Sequence, residues 1–480
     1  MLFMCKLAHV YRWCASLAGW RNKVLLVGSL FTLEPFGKES EAERSRERYR
    51  RIALSSIAGI GAKSIAVLTS LITVPLTLHY LGMERYGMWM AISSIIALLG
   101  FADLGLGNGL LSAIAAANGR NDREASRKSV SSAFFILLAL TAGLIAIACA
   151  CYQWAPWGRV YNVTSKAALA EAGPATALML LCFAVNLPLS IVQKVQMGYQ
   201  EGFEAGLWSA LGAVFGFAGV LIAVNLKAGL PWLVLGMSGG PLLAAALSWG
   251  WVFCRSKQWL APSWRTFDWN TSVQLISSGG WFLVLQLCAF LGNATDNLVV
   301  AHVVGVSSVA SYAVTQKLFS ITQVAQYFIM PLWPAVGEAI ARNDFAWAGR
   351  TLNRALILST ILGLAAALPL CFFGGDIVAL WAGRDVVPTF AVVLGFSCWV
   401  LLAGYGGVMS AFLNRGELLR RQTWFYALAS IITVGLKILL AFKWGAAGVI
   451  WATVIGYSCF YAIPAAKLAY GSINKPVTVL

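Results

Sequence analysis

From Ile52 to the C-terminus the sequence repeats one pattern, an apolar run of about 20 residues followed by a short polar break. Wound as a helix rising about 1.5 Å per residue, a run of that length crosses a hydrocarbon core about 30 Å thick. Twelve runs are legible, at about 52–81, 86–116, 130–152, 175–198, 203–226, 230–254, 271–303, 307–340, 352–375, 387–413, 421–442 and 445–469. With 59% apolar and 11% charged residues over 480 positions, the chain has too little polar surface for a water-soluble globule. The expected class is all-α, a polytopic membrane protein of about 12 transmembrane helices.

A net charge of +16 in a soluble protein would point to nucleic acid. Here the basic residues alternate between loops. With a cytoplasmic N-terminus, the internal cytoplasmic loops hold thirteen Lys and Arg, the opposite loops hold six, and the tails add twelve on the cytoplasmic side. This positive-inside bias predicts that both termini face the cytoplasm, and it accounts for the basic excess without a nucleic-acid partner. The ten cysteines lie mostly in apolar runs, without zinc-like spacing, and read as small buried residues.

The longest polar break near the middle, SKQWLAPSWRTFDWN, divides the runs six and six. The expected organisation is a basic cytoplasmic extension over 1–51, a first lobe over 52–255, a linker over 256–270, a second lobe over 271–470 and a cytoplasmic tail over 471–480. The extension ends in KESEAERSRERYRR and reads as a solvated or membrane-surface segment. The halves resemble each other. LHYLGMERYG, with His79, Gly82 and Tyr86, recurs as AHVVGVSSVASY, with His302, Gly305 and Tyr312, and Arg120-Asn121-Asp122 recurs as Arg342-Asn343-Asp344. Such order predicts a duplicated six-helix lobe. Because six is even, the repeat is parallel, and two pseudo-symmetric lobes would face each other across a central cavity.

On these residues the chain resembles a known family. TVPLTLHYLGMERYGMWMAISSIIALLGFADLGLG is similar to the first hairpin of bacterial polysaccharide and O-antigen flippases. These belong to the multidrug/oligosaccharidyl-lipid/polysaccharide exporter superfamily, which also holds multidrug and toxic-compound extrusion transporters. DNLVVAHVVGVSSVASYAVTQKL resembles their seventh-to-eighth hairpin, and IMPLWPAVGEAIARNDFAWAGR the end of their eighth helix. The resemblance implies flipping of undecaprenyl-diphosphate-linked oligosaccharide across the bacterial cytoplasmic (inner) membrane by alternating access, for O-antigen, capsule or exopolysaccharide export. The partners it implies are that substrate, membrane lipids, H+ or Na+ as coupling ion, and the polysaccharide assembly machinery.

Among the ionisable residues inside the runs are Lys63, Lys194, Lys317, Lys437, Asp103, Asp296 and Glu338. An ionised side chain near the bilayer centre costs about 3 kcal/mol on insertion scales, so each needs a cavity or a partner. Counting from the turns near Met83 and Gly305 puts Lys63 level with Asp103, and Asp296 level with Lys317. Such pairs either orient helices or break and re-form as the lobes rock, which makes Asp103 and Asp296 the coupling or gating candidates. Gln193, Asn293, Asn297, Gln316 and Gln323 lie on polar stripes expected to face a hydrated cavity. There the amides would meet sugar hydroxyls and the lysines a diphosphate, with Lys63 and Lys317 first. Lys194 and Lys437 sit nearer helix ends, where snorkelling to the interface is the alternative.

The sequence has no Walker A, GxSxG, HExxH or catalytic Cys/His set, so no cofactor, metal or enzymatic role is expected. The rival functions are a drug or cation exporter of the same fold and, from another class, a membrane-embedded glycan polymerase or ligase. The latter usually needs a substantial outer loop, and the longest candidate, 153–174, carries a single acid, Glu171.

Overall fold

The computed structural model describes residues 41–161 and 165–474, so most of the expected N-terminal extension and the end of the tail lie outside the described residues. Among the described residues there is no strand. The chain passes back and forth as α1 (41–81), α2 (83–119), α3 (Arg123–Tyr152), α4 (Lys166–Gly198), α5 (Gly202–Asn225) and α6 (Leu230–Ser256). The second half repeats this as α7 (Trp269–Val304), α8 (306–341), α9 (Phe345–Ala382), α10 (Phe390–Leu413), α11 (Gly416–Trp444) and α12 (446–474). Among the described residues ten helices are long and apolar enough to span a membrane. The other two passes, α2 and α8, are interrupted: α2 by a turn at 100–105, α8 by a 3-10 segment at Ser320–Ala325 and a break before Leu332.

The repeat seen in the sequence is built into the turns. Gly82, between α1 and α2, has φ 73°, and Gly305, between α7 and α8, has φ 117°, conformations that favour glycine. The two Arg-Asn-Asp tripeptides also fold alike. Asn121 and Asn343 take φ 56° and 61°, where asparagine is tolerated. The next residue caps the following helix in each case: Asp122 accepts from the Ala125 amide at 2.9 Å, Asp344 from the Trp347 amide at 3.1 Å.

Each half has its own apolar core. Leu81, Met88, Ile92, Val220 and Leu233 are buried together in the first half, and Val336, Trp347, Phe412, Tyr461 and Ala465 in the second. The halves meet where 106–119 of α2 crosses the start of α7 and the end of α8. Glycines permit this approach. A Cβ on Gly105 would run into the Gly279 carbonyl, and one on Gly119 into Ala341. Helices without a water-driven hydrophobic force associate through such small-residue packing.

Of the two readings of the extension, the solvated one does not hold for its described part: 41–51 forms the first turns of α1, with Glu47, Arg48 and Arg50 each less than 9% exposed. Four charges of this stretch, Glu47, Arg48, Arg50 and Arg51, have partners. Arg48 bonds Asp344 at 2.8 Å and lies over the Trp347 ring at 4.9 Å, while Glu47 accepts from Arg50 and Arg51.

Candidate substrate cavity and buried charge sites

A cavity of about 350 Å³ opens between α1, α4 and α5 of the first half and α8 of the second. Lys63 and Gln193 line it together with Arg51, Gln200 and Tyr327. The placement follows from local structure. Gly59 on α1 sits against the Tyr327 ring, and Gly206 on α5 against the Ala58 backbone, so α1 is held between α5 and α8 with the Lys63 face free. Lys63 is exposed and, among the described residues, makes no ion pair. Among the described residues no carboxylate lines the cavity. Arg51 was missed by sequence reasoning because the helix starts earlier than its apolar run. The available signal was the i,i+4 spacing from Glu47, whose Oε1 accepts from Arg51 Nε at 2.8 Å.

The expected pairing of Lys63 with Asp103 is not present. The break at 100–105 takes Asp103 off the depth scale of a continuous helix, and its Oδ1 accepts from the Gly105 amide at 2.9 Å. Lys194 is the lysine that reaches this region. It does not snorkel outward: its Nζ donates to Asn108 Oδ1 at 3.0 Å, and both Lys194 and Asp103 crowd Gly107.

Nor does Asp296 pair with Lys317. It is buried and contacts Lys437 at 2.5 Å, while its Oδ2 accepts from the Tyr312 hydroxyl at 3.0 Å. Lys437 is fully buried rather than snorkelled, and also donates to the Gly292 carbonyl and to Thr295 Oγ1. The cause is rotation. Lys317 lies five residues after Tyr312, about 140° around the helix, so when Tyr312 turns into the second lobe Lys317 turns away and is exposed.

Asn297 and Gln316 are half-buried and do not line the cavity. Asn293 and Gln323 lie outside the residues whose side chains are described. Glu338 sits at the junction of the halves, accepting from Arg342 at 2.9 Å and from Gln200, with Arg48 3.9 Å away. Arg342 crosses back to Asn121 at 3.1 Å, and Ser112 to the Asn414 carbonyl at 3.1 Å. These inter-half bonds gather at the basic end of the molecule. Among the described residues no group of three or more His, Cys, Asp and Glu is placed to hold a metal ion.

Comparisons with known proteins agree with this architecture. The family described as "Polysaccharide biosynthesis protein" matches residues 55–340, and the MatE family matches 283–443. A Salmonella typhi protein named "Putative O-antigen transporter" is 22% identical over 306 residues, 63% of this chain and 68% of its own length. A crystal structure of a MATE point mutant superposes with a TM-score of 0.77 at 16% identity, covering 91% of this chain and 99% of its own. An outward-facing multidrug resistance MATE transporter gives 0.76 at 16% identity, with the same coverage of both chains. A MOP superfamily transporter from Pyrococcus furiosus, described as having a binding pocket of reverse polarity, gives 0.75 at 14% identity over 92% of this chain and 100% of its own. These neighbours share the fold of two lobes around a central cavity, and the relatives are transporters rather than enzymes. With its cavity between two like halves and more than half its length matched, the chain is a multi-pass transporter of the MOP superfamily and belongs to the polysaccharide biosynthesis protein family.

Proposed function

We propose that this transporter flips a lipid-linked oligosaccharide carrying a diphosphate, of the undecaprenyl type, across the bacterial cytoplasmic membrane. The observation that carries the reading is the cavity between the halves, where the unpaired Lys63 ammonium, and Arg51 held by Glu47, face space lined by Gln193, Gln200 and Tyr327, with no carboxylate among the described lining residues. A diphosphate is matched by fixed cations, and sugar hydroxyls by amides and an aromatic edge. Lysine binds phosphate as a point charge, which suits a site tolerant of head-group geometry. Lys317, exposed on α8 and not among the residues that line the cavity, is the second candidate for the diphosphate.

A drug exporter of the same fold has MATE structural neighbours in its favour. A cationic drug, however, would meet the Lys63 ammonium, which among the described residues makes no ion pair, and like charges at close range are repulsive. Asp103 and Asp296 remain the groups assigned to gating or ion coupling, each now read with its own lysine, Lys194 and Lys437. The positive-inside bias supports cytoplasmic termini, so the basic end held by Glu338 and Arg342 would be the closed cytoplasmic gate.

The test is leaflet transfer of a lipid-linked oligosaccharide by the chain in vesicles, beside Lys63→Ala and an ethidium efflux assay. Transfer reduced at least tenfold by Lys63→Ala, without ethidium efflux, supports the reading. Ethidium efflux with no glycan transfer overturns it.

A further inference from the structure

On the basic end, away from the central cavity, a second pocket of about 490 Å³ lies between the start of α3 and the segment joining the halves. Arg123, Arg127 and Lys128 line it from α3, and Trp259, Arg265 and Thr266 from the joining segment, against one acid, Glu124. Glu124 is engaged by Lys128 at 2.9 Å. Among the described residues Arg123, Arg127 and Arg265 make no ion pair, and Arg123 stacks over the Trp259 ring at 5.3 Å. Several cations gathered around one pocket repel one another unless an anion offsets them. Guanidinium forks suit phosphate oxygens.

The surroundings select the source of that phosphate. The pocket sits where α3 and α7 begin, at the end of two membrane spans. Trp264 and Trp269 beside it are 70% and 68% exposed, and below them on α7 Val273 and Ile276 are about half exposed. Tryptophan at a helix end marks headgroup depth, and an apolar strip beneath it accepts acyl chains. A free phosphate would make no use of either.

The joining segment is bonded to α3 at this place. Ser131 meets the Thr266 hydroxyl at 2.7 Å and accepts from the Ser263 amide, and Ser132 accepts from the Asp268 amide at 3.2 Å. Trp264 packs edge-on against Phe135 at 4.5 Å. We infer that this pocket binds the phosphate headgroup of an anionic phospholipid, which bridges Arg123 and Arg127 of α3 to Arg265 and pins the inter-lobe segment to the first lobe. The site is independent of the transported substrate. It makes the connection between the lobes responsive to membrane composition.

The full-length chain is titrated in detergent with phosphatidylglycerol, phosphatidylcholine or inorganic phosphate, and retained lipid is counted by native mass spectrometry. Phosphatidylglycerol should be retained in preference to phosphatidylcholine, and inorganic phosphate should not displace it. Replacing Arg123, Arg127 and Arg265 together by Gln should lower that affinity about a hundredfold, at roughly 1 kcal/mol per charge, while Arg350→Gln leaves it unchanged. Arg127→Gln alone, at an exposed position, should lower it about fivefold and serves if the triple variant does not fold. Equal retention of the two lipids, or unchanged affinity in these variants, overturns the proposal. Displacement by inorganic phosphate overturns the lipid assignment in favour of a free anion.

Discussion

Lys437 on α11 and Asp296 on α7 form an ion pair at 2.5 Å, with side chains 0% and 5% exposed. Tyr312 of α8 donates to the same carboxylate, so three helices of the second lobe converge on one buried charge pair. Breaking such a pair on one side leaves an uncompensated charge, at a cost of about 3–5 kcal/mol, whereas replacing both partners by apolar residues is often neutral. Asp296→Leu and Lys437→Met should therefore each lower the unfolding temperature in detergent, and the double variant should recover most of the loss. A double variant that is stable but no longer driven by an ion gradient would mark the pair as a coupling element; one that transports normally would mark it as structural.

Arg48→Gln removes the side chain that links α1 to Asp344 and Glu338 across the junction of the halves. The loss of a charge-assisted bond is worth about 1.5–3 kcal/mol, enough to change the ratio of two lobe arrangements about tenfold or more. Spin labels at positions 127 and 350, measured by pulsed dipolar spectroscopy, should show a larger population at long separation in the variant. An unchanged distance distribution would remove the junction from the gate.

Gly105 carries φ 71° and faces the Gly279 carbonyl and the Leu283 amide. Gly105→Ala adds a left-handed backbone penalty of about 1–2 kcal/mol to an overpacking cost of about 1–3 kcal/mol. Its unfolding temperature should fall well below that of Gly87→Ala, where a Cβ meets nothing within 4 Å. Equal stability of the two variants would contradict the close α2–α7 crossing.

Asp268 lies just before α7, and the Thr271 hydroxyl and amide hold its carboxyl below the usual 3.8. A depressed carboxyl adds stability that is present above the unfolded value and lost as pH falls through the folded one. Asp268→Asn keeps an acceptor for the helix cap but not the charge. Wild type should exceed it in stability near neutral pH, and the difference should narrow below pH 3.8, as read by thermal unfolding across a pH series.

The number of passes, the two-lobe arrangement and the repeated turns were legible in the chain itself, because length, hydropathy and glycine or asparagine at positive φ are local requirements. Gly82 and Gly305, and Asn121 and Asn343, show this in pairs. Partner choice was not local. Sequence spacing ranks residues by depth along a continuous helix, but α2 breaks at 100–105 and each residue turns the side chain by about 100°. Tertiary packing therefore gave Asp296 to Lys437 instead of Lys317, brought Lys194 rather than Lys63 into the region of Asp103, and drew Arg48 out of an apparently solvated segment into the junction with Asp344. Lipid-facing hydropathy decides that a helix spans; which way its few charges face is decided by the neighbours able to satisfy them, and those come from distant parts of the chain.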